Sequence, residues 1–448
     1  MGDTGGARLE ILTLSLRGLC YASFGGTRPE NGRVRGSAWS VISREGRSPQ
    51  RLVNAPRALD GIRVIDMTQV MAGPFCCMLL GDMGADVIKV EPPAGETTRQ
   101  MEFELAPGVS GPFLAVNRNK RGITLDLKQA EAVAVLTRLV ATADVLVENY
   151  RPGVARRLGI DYDTLRLVNP RLVYCSISGF GQTGPYASRG GYDLIAQGMS
   201  GIMSATGSPD GPPVKVGVPV TDLGAGLFGV FGILCALRAR RATGRGQFVD
   251  TSLFEAGLAL SAWEATEYWY TGQIPRRLGT AHRLNAPYQA FRASDGHFTV
   301  GAANSRLWPR FCQLLGLERL VEDSRFGTVG DRVKNQRELE RVIEEVTVTH
   351  SRAHWLERCE AAGIPAGPIY SVPEALADPH AQSRGMVQEY DYPGAGRVKA
   401  LGNPVKLSGS PARLHKGAPR LGEDTEAVLA ELGLSGGEID ALRNRGAI

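Results

Sequence analysis

The seven cysteines are an odd number, scattered at positions 20, 76, 77, 175, 235, 312 and 359 with no CxxC spacing. Neither a disulfide framework nor a thiolate zinc site fits them, and a reducing compartment does. Long apolar runs are also missing. The charge-free apolar stretch between Asp222 and Arg238 is 15 residues and Gly-rich, short of the roughly 20 that cross a bilayer. It reads as a buried helix, and no membrane partner is expected. A basic excess is absent from most of the chain. Of the net +5, residues 1–57 account for all, with nine Arg and no Lys against Asp3, Glu10, Glu30 and Glu45, while residues 58–448 carry 42 basic and 42 acidic side chains. Displacing counterions from phosphates needs a basic surplus, so no nucleic-acid partner is expected.

Familiar catalytic strings are missing too. There is no GxxxxGK[ST] phosphate loop and no GxSxG elbow. GFGQTG at 179–184 has the GxGxxG spacing, but Pro185 and then Ser188, Arg189, Gly190 and Gly191 deny it the helix that would bind a pyrophosphate. It reads as a Gly-rich substrate loop. His350 and His354 share a helix face without a third ligand, so no metal is expected. Cys76-Cys77 reads as core packing.

At 448 residues the chain is long enough for one large or two moderate cores. Residues 1–57 lack periodic apolar positions, and the apolar piece from Leu9 to Leu19 is broken by Arg17 and has no positive n-region. They read as a flexible leader. A cytoplasmic location is expected, or the mitochondrial matrix if the Arg-rich leader is a transit peptide.

From Ala58 a strand–helix–strand rhythm begins. Strands are predicted at 62–68, 86–93, 144–150 and 171–178, with helices at 73–85, 131–143 and 161–170 between them. Such alternation implies an α/β fold with a parallel sheet. Beyond Thr251 the pattern changes to longer helices and a strand pair at 288–302 turned at Ser294-Asp295-Gly296, the mark of a smaller α+β domain. Helices are predicted at 305–318 and 334–362, and two short ones within 423–448. The resulting divisions are 58–250, 251–390 and 391–448.

Asp222, in PVTDLGAGLFG, precedes the apolar helix. An Asp there commonly caps backbone N–H groups. A carboxylate fixed among small residues is also what a nucleophilic Asp requires. The residues themselves leave both readings open.

Taken together, LDGIRVIDMTQVMAGPF, GADVIKVEPP, NRNKRGITLDLK, ADVLVENYRPG, SISGFGQTGPY, GGYDLIAQGMSG, VTDLGAG, ATGRGQFVDTSLFEA and GTAHRLNAPYQAF resemble family III CoA-transferases, in order from about Leu59 to the C-terminus. The resemblance implies transfer of CoA from an acyl-CoA to a free carboxylic acid, with Asp222 forming a mixed anhydride and then an enzyme thioester. It implies CoA contacts at Met71, Ala72, Leu125, Lys128, Asn149, Tyr150, Arg151, Arg157 and Tyr192. It also implies a mobile loop over the site at Gly279, Thr280 and His282. Pro92 stands where some members have an Arg contact. The implied fold is a Rossmann-like large domain completed by the C-terminal segment, a smaller α+β domain, and an interlocked homodimer. CoA enters as a cosubstrate thioester, with no resident cofactor. The strings look most like succinyl-CoA:glutarate-type members, so a dicarboxylate acceptor is expected. Racemases of the same fold pair the equivalent Asp with a His in a GHD motif, whereas this chain has Gly191-Tyr192-Asp193. Tyrosine ordinarily ionises near pH 10, a poor match for reversible proton transfer at neutral pH. A non-catalytic CoA-binding protein would be expected to have lost Asp222 or the loop glycines, and neither is lost.

Overall fold

The computed structural model describes residues 56–106 and 109–448. The expectation for residues 1–57 lies outside these but for its last two positions. Six parallel strands form the central sheet: β1 (Arg63–Asp66), β2 (Asp86–Glu91), β3 (Lys120–Thr124), β4 (Val145–Glu148), β5 (Val173–Ser178) and β6 (Phe248–Ser252), in the order β3-β2-β1-β4-β5-β6. β4 and β5 are buried on both faces, as parallel strands covered by helices must be. The direction of winding reverses between β1 and β4. The crevice beyond their carboxyl ends is therefore a switch point, where such sheets hold ligands.

Alternate strand residues feed two cores. Ile65, Ile88 and Leu146 pack with Leu136 and Leu139 of α2 (Ala130–Ala141) and Leu165 of α3 (Tyr162–Val168). On the opposite face Val64, Val87 and Val147 meet Cys76, Cys77 and Leu80 of α1 (Ala72–Asp82), Ala196 of α4 (Asp193–Met199), Ala225 and Ile233 of α5 (Val220–Thr243) and Ala256 of α6 (Leu253–Leu260).

Two strands of this sheet, β3 and β6, are absent from the sequence reading because each holds only a single Val or Ile. Lys120 of β3 is fully buried only because its ammonium lies 2.7 Å from Asp66, a pairing 54 residues away that no local pattern signals. The apolar helix also differs from its expectation. α5 runs 24 residues and buries one stripe, Gly224, Ala225, Gly229 and Ile233, while Leu227, Phe228, Phe231 and Leu234 stand exposed. It is the one described helix long and apolar enough to cross a membrane. Its small-residue stripe nevertheless packs on the sheet, as a core helix does. α7 (Ala262–Thr271) follows, with Trp263, Tyr268, Trp269 and Tyr270 also uncovered.

A separate core joins β7 (Tyr288–Ala293), β8 (Gly296–Gly301) and β9 (Ala366–Pro368) to α8 (Leu307–Leu315), α9 (Gln336–Thr347) and α10 (Arg352–Ala361). The hairpin turn is where the sequence set it. The single helix expected over 334–362 is instead α9 and α10, because the Ser351 hydroxyl accepts the His354 N–H and starts a new helix. In this core Arg332 is 1% exposed and donates to the carbonyls of Ala286, Ala303 and Phe326 at 2.6, 2.7 and 2.8 Å. Arg332→Met strips partners from three buried carbonyls. It should lower unfolding stability by about 3 kcal/mol or more, read by urea denaturation. A loss under about 1 kcal/mol would show that water replaces the guanidinium.

The C-terminal α11 (Thr425–Glu431) and α12 (Gly436–Asn444) return to the sheet, adding Val428, Leu429, Ile439 and Leu442 to the α2 face. They are tied to β3 by Asp424, which accepts the Gly122 N–H at 2.8 Å and donates its own to the Gly122 carbonyl.

Candidate active site

The β1–α1 loop, Thr68 to Met71, forms one wall of the crevice, and side chains hold its backbone. The Thr68 N–H and hydroxyl donate to Asp66 at 2.9 and 2.5 Å. The Asn149 amide, at the end of β4, brackets Gln69, accepting from its N–H at 2.9 Å and donating to its carbonyl at 2.8 Å. Across the crevice runs the Gly-rich stretch 179–192, which contains no helix until α4 begins at Asp193. Its two ends touch: a Cβ built on Gly191 would lie 2.5 Å from the Gly179 Cα. The Asp193 carboxylate then accepts the Thr221 N–H at 3.0 Å and its hydroxyl at 2.7 Å, fixing the first turn of α5.

Asp222 sits in that turn. Pro219 occupies the N-cap position, so Asp222 lies inside the helix and is not its cap. Among the described residues its carboxylate has no hydrogen bond or ion pair. Burial and the charge of Asp193 push its pKa up to about 7.

A cavity of about 380 Å³ joins these elements, and Met71, Ala72, Asn149, Tyr150, Arg151 and Tyr192 line it with Asp222. The other sequence-derived positions lie elsewhere. Leu125 is packed in the α2-face core, and Lys128 and Arg157 are exposed. The loop at Gly279, Thr280 and His282 is anchored away from this cavity. The Gly279 N–H donates to Gly207, the Thr280 hydroxyl accepts from Ala290, and the His282 ring lies 5.3 and 5.2 Å from Trp263 and Tyr288. Residues 274–278 and Ala281 line a larger cavity of about 1170 Å³, whose wall lacks Asp222.

Sequence reasoning missed Gln69, Val70, Arg189 and Gly191 in the Asp222 cavity. The glycine strings around positions 179 and 191 were a usable signal. Val70 gave none, because its φ of +69° cannot be read from a valine. The His350 and His354 rings stack at 4.1 Å, and among the described residues no group of three or more His, Cys, Asp or Glu is arranged around a metal position.

The raised Asp222 carboxyl predicts opposite pH trends for activity and stability. A carboxylate must be ionised to attack an acyl carbon, so if Asp222 carries the reaction kcat/KM should rise with pH to a plateau with its midpoint near 7. The folded chain holds this proton more tightly than the unfolded chain. Stability from Asp222 is therefore present at low pH and lost as pH climbs from about 4 to about 7, and burial of Glu148, also pushed up to about 7, adds to the trend. Tm measured across that range tests it, and a flat profile would overturn the shifts.

The model for CoA-transferase family III matches residues 59–425. The chain is 41% identical over 386 residues to the succinate–glutarate CoA-transferase of Agrobacterium fabrum, covering 85% of this chain and 96% of that one. It is 42% identical over 383 residues to the acetyl-CoA:oxalate CoA-transferase of Acetobacter aceti, covering 83% and 95%. The crystal structure of a CAIB/BAIF family protein from Brucella suis superposes with a TM-score of 0.74 at 40% identity, covering 84% of this chain and all of that one.

Proposed function

Because the chain belongs to CoA-transferase family III, we propose that it moves CoA from a dicarboxyl-CoA such as succinyl-CoA to a free dicarboxylate, with Asp222 as the covalent relay. The observation that carries this reading is a half-buried carboxylate that faces a cavity without a cationic partner. Such a group gains by attacking an acyl carbon.

The relay needs no water and no net proton. An Asp222 carboxylate oxygen attacks the thioester carbon, the C–S bond breaks, and CoA thiolate leaves an aspartyl–acyl anhydride. The thiolate attacks the aspartyl carbonyl, the donor acid departs as a carboxylate, and Asp222 becomes a CoA thioester. The acceptor carboxylate attacks that thioester and expels the thiolate, forming a second anhydride. Attack of the thiolate on the acceptor's carbonyl releases the new acyl-CoA and restores Asp222. Arg151 and Arg189 line the same cavity, and neither guanidinium is paired with an acid among the described residues, which suits anionic substrates. The glutarate and oxalate in the names of the relatives support a dicarboxylate acceptor.

Incubation with succinyl-CoA and hydroxylamine should convert Asp222 to a hydroxamate, identified in its peptide by mass spectrometry. Labelling of a different residue would overturn the relay. A second copy of the chain over the uncovered α5 and α7 faces is part of the same reading, supported by the exposure of Phe231, Trp263 and Trp269. Light scattering at the mass of one chain would remove it.

A further inference from the structure

The loop wall of the Asp222 cavity is held against its own backbone preference. Val70 has φ +69°, a left-handed conformation in which its branched side chain is strained. Its N–H donates to a Glu96 carboxylate oxygen at 2.8 Å. The other oxygen of Glu96 lies 2.9 Å from the Lys89 ammonium, which in turn donates to the Thr68 carbonyl at 3.0 Å. One ion pair thus grips the loop at both ends, by a carbonyl at Thr68 and an amide at Val70. Both charged side chains are fully buried.

Stability alone is a weak reason for such a pair. Removing two charges from water is costly, and an apolar pair of similar volume often serves the fold as well or better. What an apolar pair lacks is an acceptor for the Val70 amide.

We propose that the buried Lys89–Glu96 pair is a positioning device for acyl transfer: it pins Val70 in its strained conformation so that the Gln69–Met71 wall stays at the distance from Asp222 that the thioester requires. The proposal rests on the reading of Asp222 given above. Neither residue touches the reacting atoms, and both act through the loop.

Two double variants separate positioning from folding. Lys89→Met/Glu96→Gln loses both charges but keeps an oxygen for the Val70 N–H. Lys89→Met/Glu96→Leu loses that acceptor as well. The glutamine variant gives up the grip on Thr68 but keeps the one on Val70, so its kcat should fall by less than that of the leucine variant. The leucine variant should fold, lose hydrogen-exchange protection at the Val70 amide, and lose tenfold or more in kcat, since misplacing a reacting group lowers the rate of the step itself. If the leucine variant does not fold, Lys89→Met/Glu96→Ser, whose side chain is too short to reach the amide, serves the same comparison. Equal kcat in the glutamine variant and the acceptor-lacking variant would overturn the proposal, as would an unchanged kcat with the amide unprotected. Failure of the Asp222 reading is seen separately, as hydroxylamine labelling of another residue in the wild type.

Discussion

Asp222→Asn should cut CoA transfer by about 10⁴-fold or more while the far-UV spectrum stays that of the wild type. The amide keeps the shape of the side chain but supplies no anionic oxygen for the thioester carbon, so the first anhydride does not form. The rate should fall in kcat, with the KM for acyl-CoA little changed, because the rest of the cavity wall is untouched. A second signature separates this from damage to the fold. In the wild type the half-buried carboxylate near Asp193 carries a cost that raises its pKa to about 7, and the neutral amide escapes that cost. Above pH 7 the variant should therefore have the higher Tm. Transfer within tenfold of the wild type would end the case for Asp222 as nucleophile.

Gly191→Ala should lower kcat/KM by about 100-fold, the scale expected when a site shifts by roughly 1 Å. The added methyl would lie 2.5 Å from the Gly179 Cα and 3.3 Å from its carbonyl carbon. Carbon atoms rest at about 3.5–4.0 Å, and both contacts are backbone, so no side-chain rotation relieves them. The two strands of the Gly-rich stretch must part, carrying Tyr192 and the start of α4 away from Asp222. Since Asp193 anchors the first turn of α5 through Thr221, the displacement reaches Asp222. Gly179→Ala, whose methyl would meet the Gly191 Cα at 2.6 Å, should act alike. Activity within twofold of the wild type would mean that the approach is looser than it stands here.

The sheet was legible in the sequence wherever strands are apolar. β1, β2, β4 and β5 lie within their expected spans because Val and Ile runs bounded by Gly, Asp and Pro have few other uses. β3 was hidden by Lys120 and Arg121, whose charges are met by Asp66 and Asp86, acids far off in sequence. The site divides in the same way. Asp222, Asn149, Tyr150 and Arg151 were reached through the strings around them. That Asp222 is not the helix cap was not readable, since it turns on Pro219 starting the helix and on Asp193, 29 residues earlier, holding Thr221. Asn149, expected at CoA, lines the cavity, and its amide also brackets the backbone of Gln69, a role its local sequence does not signal.

The return of α11 and α12 to β3 bears on how the chain is made. The partners Gly122 and Asp424 are 302 residues apart, which at ribosomal speeds of roughly 5–20 residues per second is on the order of 15–60 s of synthesis. Throughout that interval the nascent chain presents the free edge of β3 and the uncovered part of the α2-face core, an invitation to pair with a neighbour on the same polysome. A message truncated before the codon for Asp424 would release a product whose β3 edge stays open, a substrate for the cell's chaperones and proteases.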